Sequence, residues 1–282
     1  MPGTLFVVAT PIGNLEDITG RALRVLREAS IIAAEDTRRT AQLLARYAIT
    51  TPTTSLHEHN EAQKAEGLVA RLERGDSIAL VSDAGTPTIS DPGHGLVKAA
   101  IAAGIRVEPI PGPNAVIAAL AVSGLPSDAF SFLGFPPIRS KARSEWFVRA
   151  RAIGGTVVFF EAPHRIRETL DELRREVGDC HVTVCRELTK AHEESVRGPI
   201  SRVLLEISSC LGEFTVVADI GHTTEYEPVR PPTPAEAWAE FGDLTGRVNL
   251  SRRSAVAELA KRHKMGANAV YRLIEAGKKS TE

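Results

Sequence analysis

Thr4-Leu5-Phe6-Val7-Val8-Ala9-Thr10, followed at once by Pro11-Ile12-Gly13-Asn14, is the stretch on which the fold turns. Five consecutive apolar residues occupy the middle of a strand-length run. A strand with one wet face alternates apolar and polar residues, whereas an unbroken run marks a strand covered on both faces, as in a parallel sheet. The proline and glycine that follow end the strand in a loop.

The same rhythm continues outward from this run. Thr19 can N-cap a helix with Ala22, Leu23, Leu26 and Ala29 at helical spacing. The pattern predicts strands at 31–34, 78–82 and 106–110 and helices at 40–47, 61–74, 94–103 and 115–122. This is a βαβα series, and it predicts a mostly parallel sheet with helices on both faces. Gly124 and Pro126 mark a boundary. A second series follows, with strands at 130–135, 156–161, 182–186 and 214–220 and helices at 141–152, 166–177 and 200–210. The expected architecture is α/β, with two α/β domains at 1–123 and 124–222. A proline-rich linker is expected at 223–234, containing Pro228, Pro231, Pro232 and Pro234. A basic helical tail is expected at 235–282, with helices at 254–264 and 267–276 around Gly266 in a helix–turn–helix-like hairpin.

The chain has 282 residues and a formal net charge of −1, so it is not a basic nucleic-acid binder as a whole. Residues 246–282, however, hold nine Lys/Arg against three Asp/Glu, a net of +6, which leaves −7 for the rest. That split is the pattern of a basic appendage on an acidic body. The three cysteines, Cys180, Cys185 and Cys210, fit no zinc spacing and read as reduced residues of a cytoplasmic protein. No membrane span and no secretory leader are expected.

In open α/β sheets ligands bind beyond the carboxyl ends of the strands. Three such ends are rich in Gly, Pro, Asp and Thr: 10–14, 83–87 continuing to Ser90-Asp91-Pro92-Gly93, and 111–115. Asp83 could face a hydroxyl, an amine or a sulfonium cation. Several common sites are absent from the sequence. It contains no G-x-x-x-x-G-K-[ST], no G-x-G-x-x-G after the first strand and no G-x-S-x-G. His57 and His59 lack the spacing of a helical zinc pair, so no metal is expected.

Six stretches carry a resemblance. They are Val8–Thr19 (VATPIGNLEDIT), Ala34–Arg38 (AEDTR), His57–Glu61 (HEHNE), Val81–Gly93 (VSDAGTPTISDPG), Phe159–Arg165 (FFEAPHR) and Arg186–Lys190 (RELTK). Together they resemble the ribosomal RNA small subunit methyltransferase I family, cytidine 2′-O-methyltransferases within the tetrapyrrole-methylase fold. The resemblance runs from about residue 4 to 220. It implies two α/β domains with S-adenosylmethionine in the cleft between them, a homodimer, and 16S ribosomal RNA, free or in the assembled small subunit, as partner. It also implies cofactor contacts from Pro11, Gly13, Asp83, Ala84, Gly85, Thr86, Asn114, Ala115, Phe160, Glu161, Glu213 and Thr215.

A ribose hydroxyl is a poor nucleophile until its proton is drawn away. Glu35, Asp36, Asp83, His57 and Glu161 are candidate bases, and Lys190 is one if burial lowers its pKa. Glu35-Asp36 beside Arg38-Arg39 could equally be a structural ion-pair cluster. Arg38, Arg39, Arg165 and Lys190 are candidate phosphate contacts. In the tail the candidates are Arg252, Arg253, Lys261, Arg262, Lys264 and Arg272, with a solvated helix pair as the plain alternative. Two other functions stay open: methylation of a tetrapyrrole by the same fold, and a non-enzymatic nucleic-acid-binding protein.

Overall fold

The computed structural model describes residues 2–221, 232–246, 250–263 and 265–279, without the side chains of Lys261, Arg262 and Lys279. Most of the expected linker lies outside the described residues. Its contacts divide the chain into two units, 1–221 and 222–282.

The first unit opens with β1 (Thr4–Val8), α1 (Gly20–Glu28), β2 (Ile31–Ala34), α2 (Thr37–Arg46) and β3 (Thr53–Ser55). It continues through α3 (Glu61–Glu73), β4 (Ile78–Val81), α4 (His94–Ala102), β5 (Arg106–Ile110) and α5 (Ala115–Ser123). These strands form a sheet in the order β3-β2-β4-β1-β5, parallel at every pairing. The unbroken apolar runs are explained by the cover on each face. Leu5, Ile78 and Leu80 pack with Leu68, Leu72 and Leu96 on one side. Val8, Ala79 and Ile110 pack with Ala22, Val25 and Leu26 on the other. Helix starts follow local capping. Thr19 Oγ1 accepts the Ala22 N–H at 3.1 Å, and Asp36 caps α2 through the Arg38 N–H at 2.9 Å.

The second half of this unit contains β6 (Phe130–Phe132), α6 (Ser140–Ile153), β7 (Thr156–Glu161), α7 (Ile166–Val177), β8 (His181–Arg186), β9 (Glu194–Pro199), α8 (Ile200–Glu206) and β10 (Phe214–Asp219). The strand order is β6-β7-β10-β8-β9. Only β6 and β7 run parallel; the other pairings are antiparallel. The strand expected over 130–135 stops at Phe132 because Gly134, at φ 63°, turns the chain. The helix expected over 200–210 ends at Glu206, and Ser208 then bonds the Glu194 carboxylate at 3.0 and 3.1 Å.

α5 follows the first sheet in sequence but buries Val116, Ala119 and Leu120 against Val158, Cys185 and Val217 of the second. Thr183 Oγ1 donates to the Ser123 carbonyl at 2.9 Å and fixes the helix end. A buried polar network lies beneath β7 and α7. Arg143 donates from Nη2 to Thr169 Oγ1 at 2.7 Å and from Nε to Glu172 at 2.6 Å. Thr169 in turn donates to Glu161. The Glu161 side chain is fully buried, 3.8 Å from Arg143 and 3.5 Å from Arg165.

The second unit is a helical trio, α9 (Pro234–Gly246), α10 (Arg252–Arg262) and α11 (Ala267–Lys279). Its core joins Ala237, Phe241 and Leu244 to Ala255, Leu259, Val270 and Ile274.

Replacing Arg143 with Ala removes one of the two guanidiniums beside the buried Glu161, together with the hydrogen bonds to Glu172 and Thr169. The expected loss is about 3–5 kcal/mol of stability, read by urea unfolding of the full chain. A loss under about 1 kcal/mol would show that the network is not structural.

Candidate active-site cleft

The carboxyl ends of β1, β4 and β5 deliver their loops to one edge of the first sheet. Thr10 and Gly85 form an isolated antiparallel bridge, N–H to O at 2.8 and 3.0 Å, which holds the first two loops side by side. Gly85 sits at φ +83°, a conformation that favours glycine. Topology also explains the far wall. β10 runs antiparallel to β7 and β8, so its first residues lie beside their last: Phe214 pairs with Glu161 and with Arg186.

Two lobes open between these walls. The first, of about 300 Å³, has apolar walls from Ile12, Ala84, Phe135, Phe160 and Leu188 and polar groups from Thr86, Asn114 and Thr215. The second, of about 400 Å³, is lined by Thr10, Pro11, Gly13, Arg39, Asp83 and Lys190. Ile12, Ala84 and Glu213 line both, so the lobes are parts of one cleft. Gly13 sits where the loops of the two halves meet. A Cβ there would lie 2.5 Å from Lys190 Cγ and 2.6 Å from Thr189 Oγ1.

The residues that the resemblance marks as cofactor contacts divide between the lobes. Ala84, Gly85, Thr86, Asn114, Ala115, Phe160, Glu161, Glu213 and Thr215 line the first. Pro11, Gly13 and Asp83 line the second. Ile89, Phe135 and Leu188 also line the first lobe, as do Ser90 and Asp91, which the sequence placed in a candidate ligand loop but not among the cofactor contacts. Asp91 had a signal, its place between strand end and proline in the quoted loop. Thr88 (φ 74°), Ser90 (φ 63°), Glu187 (φ 52°) and Thr189 (φ 65°) hold left-handed backbone without being glycine. Such residues cost on the order of 1–3 kcal/mol each and cluster at functional sites. Here they sit in two loops of the cleft wall.

The candidate bases differ in what holds them. Asp36 caps α2 and is chelated by the Arg38 side chain at 2.7 and 3.1 Å. These hydrogen bonds bring its pKa down to about 2. Lys190 keeps its proton. Burial pulls its pKa down, but hydrogen bonds to Glu187 at 2.8 Å and Glu213 at 2.9 Å outweigh this and raise it. That corrects the expectation of Lys190 as a base. Glu161 points into the buried network, which corrects its place among the bases. Asp83 Oδ1 accepts the Asp36 N–H at 3.0 Å, and Oδ2 lies 3.5 Å from Arg39. Burial raises the pKa of Glu35, the hydrogen bond from the Asp83 N–H opposes the rise, and the charge of Asp83 adds to it. Glu35 and His57 line neither lobe. His57 instead meets Asn60 Nδ2 at 3.0 Å through Nε2.

Of the candidate phosphate contacts, Arg38 is exposed, Arg39 and Lys190 line the second lobe, and Arg252, Arg253 and Arg272 are exposed on the helical unit. Arg165 does not join them. Its guanidinium is largely buried and donates to the Pro136 and Pro137 carbonyls at 2.6 and 3.2 Å. The Lys261 and Arg262 side chains, and Lys264, lie outside the described residues.

Comparison with known proteins agrees with this architecture. The family described as Tetrapyrrole (Corrin/Porphyrin) Methylases matches residues 4–204. Ribosomal RNA small subunit methyltransferase I of Escherichia coli O157:H7 is 42% identical over 275 residues, covering 96% of this chain and 94% of its own. The protein of the same name from Vibrio cholerae serotype O1 is 45% identical over 273 residues, covering 95% and 93%. Among solved structures, a diphthine synthase superposes with TM-score 0.59 at 16% identity, covering 77% of this chain and 90% of that one. Uroporphyrin-III C-methyltransferase from Thermus thermophilus, complexed with S-adenyl homocysteine, gives 0.54 at 19%, covering 77% and 98%. At those identities the likeness is one of fold. The identity to the two named relatives goes further: the chain belongs to the tetrapyrrole (corrin/porphyrin) methylase family and, within it, to the ribosomal RNA small subunit methyltransferase I family.

Proposed function

We propose that this chain transfers the methyl group of S-adenosylmethionine to the ribose 2′-hydroxyl of a cytidine in 16S ribosomal RNA, free or in the small subunit. The observation that carries the reading is the two-lobed cleft, an apolar lobe at the end of α5 joined to a polar, cation-bearing one. The names of the relatives support the acceptor class, and the complex of the fold neighbour supports the donor.

The first lobe fits the donor in two respects. Ile12, Phe160 and Leu188 offer apolar faces to a flat heterocycle. Asn114 caps α5 by accepting the Ile117 N–H at 3.2 Å, and the first-turn N–H groups leave that helix end facing the cavity, where a carboxylate is favoured. When bound, S-adenosylmethionine supplies a methyl group already activated by its sulfonium sulfur. The chain's own residues are left with positioning, which can supply roughly 7–11 kcal/mol. Arg39 and Lys190 in the second lobe would hold backbone phosphates, and Arg252, Arg253 and Arg272 would add a second basic contact. Among the described residues no helix is long and apolar enough to cross a membrane. The reading places the chain in the cytoplasm with its ribosomal substrate. It also includes a homodimer, supported by the exposed apolar residues Ile117 and Val122 on α5; sedimentation at the mass of a single 30.3 kDa chain would refute that part.

Small ribosomal subunits lacking the modification, incubated with labelled S-adenosylmethionine and this chain, should yield 2′-O-methylcytidine by mass spectrometry. Ala115→Trp, which fills the first lobe, should weaken cofactor binding at least tenfold, about 1.4 kcal/mol, in calorimetry. Another methylated nucleoside, or an Ala115→Trp variant that binds the cofactor normally, would overturn the corresponding part. For the helical unit, Arg252→Glu with Arg253→Glu should weaken subunit binding and make it less salt-dependent, by about one slope unit per lost phosphate contact. Unchanged binding would remove the helical unit from the RNA surface.

A further inference from the structure

Among the described residues four carboxylates line the cleft: Asp83, Asp91, Glu161 and Glu213. Three are engaged. Glu161 accepts from Thr169 and the Ala162 N–H inside the Arg143–Arg165 network. Glu213 binds Lys190 at 2.9 Å. Asp83 accepts the Asp36 N–H and sits beside Arg39. No described ion pair engages Asp91, whose neighbour is the Ser82 hydroxyl.

The loop that carries Asp91 is built to hold it. Thr88 and Ser90 take left-handed backbone immediately before it. Pro92 restricts Asp91 itself to extended conformations. Gly93 then seats the loop on β4, since a Cβ there would lie 2.7 Å from Leu80 Cδ2. Ile89 and Phe135, both exposed and both lining the first lobe, form its rim on the same side. Asp91 thus lines the same lobe as this exposed apolar rim.

We infer that Asp91 takes the proton of the ribose 2′-hydroxyl during methyl transfer. The inference rests on the reaction proposed above. As the new O–CH₃ bond forms, the O–H bond breaks and its proton passes to a carboxylate oxygen of Asp91. The C–S bond of the donor breaks with its electron pair staying on sulfur, which becomes a neutral thioether. The proton then leaves to water. The groups around Asp91 suit this role. Glu35 at the end of β2 and Asp83 at the end of β4 add negative charge, while Arg39 offsets Asp83. Glu61, which accepts the Leu96 N–H at 3.1 Å, holds the first turn of α4 just beyond. Burial first, then the charges of Glu35 and Asp83, push the Asp91 pKa up to about 6. A base that titrates close to the working pH is the efficient one.

The test uses full-length Asp91→Asn, Asp91→Ser and Asp91→Glu. Asp91→Asn should lower kcat on small subunits by about 10²–10⁴-fold and leave calorimetric cofactor affinity within about threefold, roughly 0.7 kcal/mol. The wild-type rate should fall away below pH about 6, and that limb should vanish in Asp91→Asn. Carbon-13 NMR of Asp-labelled free protein should lose a carboxyl titrating near the same pH. Asp91→Glu should keep more activity than Asp91→Asn, and Asp91→Ser should repeat the loss if Asp91→Asn folds poorly. A kcat within fivefold of the wild type in both Asn and Ser variants would overturn the role. So would a loss of cofactor affinity matching the loss of rate, which would make Asp91 a donor contact. A wild-type chain that methylates no subunit would overturn the reaction itself, and the role with it.

Discussion

The cleft exists because α5 has nowhere else to go. Its sequence, Ala-Val-Ile-Ala-Ala-Leu-Ala-Val-Ser, is apolar almost all round, and such a helix is unstable against water on most sides. It leaves the first sheet at Asn114 and finds cover on the second, against Val158, Cys185 and Val217. That one packing choice brings the loops after β1, β4 and β5 to face those after β7 and β8. The contact at Gly13 then closes the seam, because only a residue without a side chain lets the first loop approach Thr189 and Lys190 so closely.

Within the cleft, chemically similar groups are separated by their surroundings. Asp36 and Arg38 satisfy each other at a helix end. Glu161 is consumed by the structure beneath β7, and Glu213 holds Lys190 charged. Different environments, not different side chains, divide anchoring from reactive groups, and pairs with diverging pKa values are the usual sign of such a division. The left-handed residues Thr88, Ser90, Glu187 and Thr189 are strained, and they persist because the two sheets behind them hold their loops in place.

Much of this was legible in the chain. Both faces of the parallel sheet followed from unbroken apolar runs such as Leu5–Ala9. The strand-end loops followed from Gly, Pro and Asp placed just after those runs. The edge strands β3 (Thr-Thr-Ser) and β9 (Glu-Ser-Val-Arg-Gly-Pro) were not legible, because a polar edge strand carries no periodic apolar signal. α9 did announce itself. Thr233 and Glu236 form a reciprocal capping box, 2.8 and 3.3 Å, with Pro234 at the first helical position. The proline-rich composition around it drew the reading towards a linker. Residue type misled at Arg165, and at Glu161 as a base, since charge next to a strand end looks functional whether the group faces a cavity or a buried partner. Burial is a property of three-dimensional neighbours, and no local spacing encodes it.

The strand order has a consequence for synthesis. β1 lies between β4 and β5, so the first strand made has no neighbour until residue 81 has been added, and lacks its second until residue 110. α5 waits longer still, because Val217, part of the surface that covers it, arrives about a hundred residues after the helix is complete. Long-range pairing of this kind slows folding and leaves apolar surface open on the nascent chain. The most hydrophobic helix and the central strand of the first sheet are therefore the segments a chaperone would hold while the chain emerges. The face of α5 formed by Val116, Ala119 and Leu120 is covered only when β10 settles between β7 and β8.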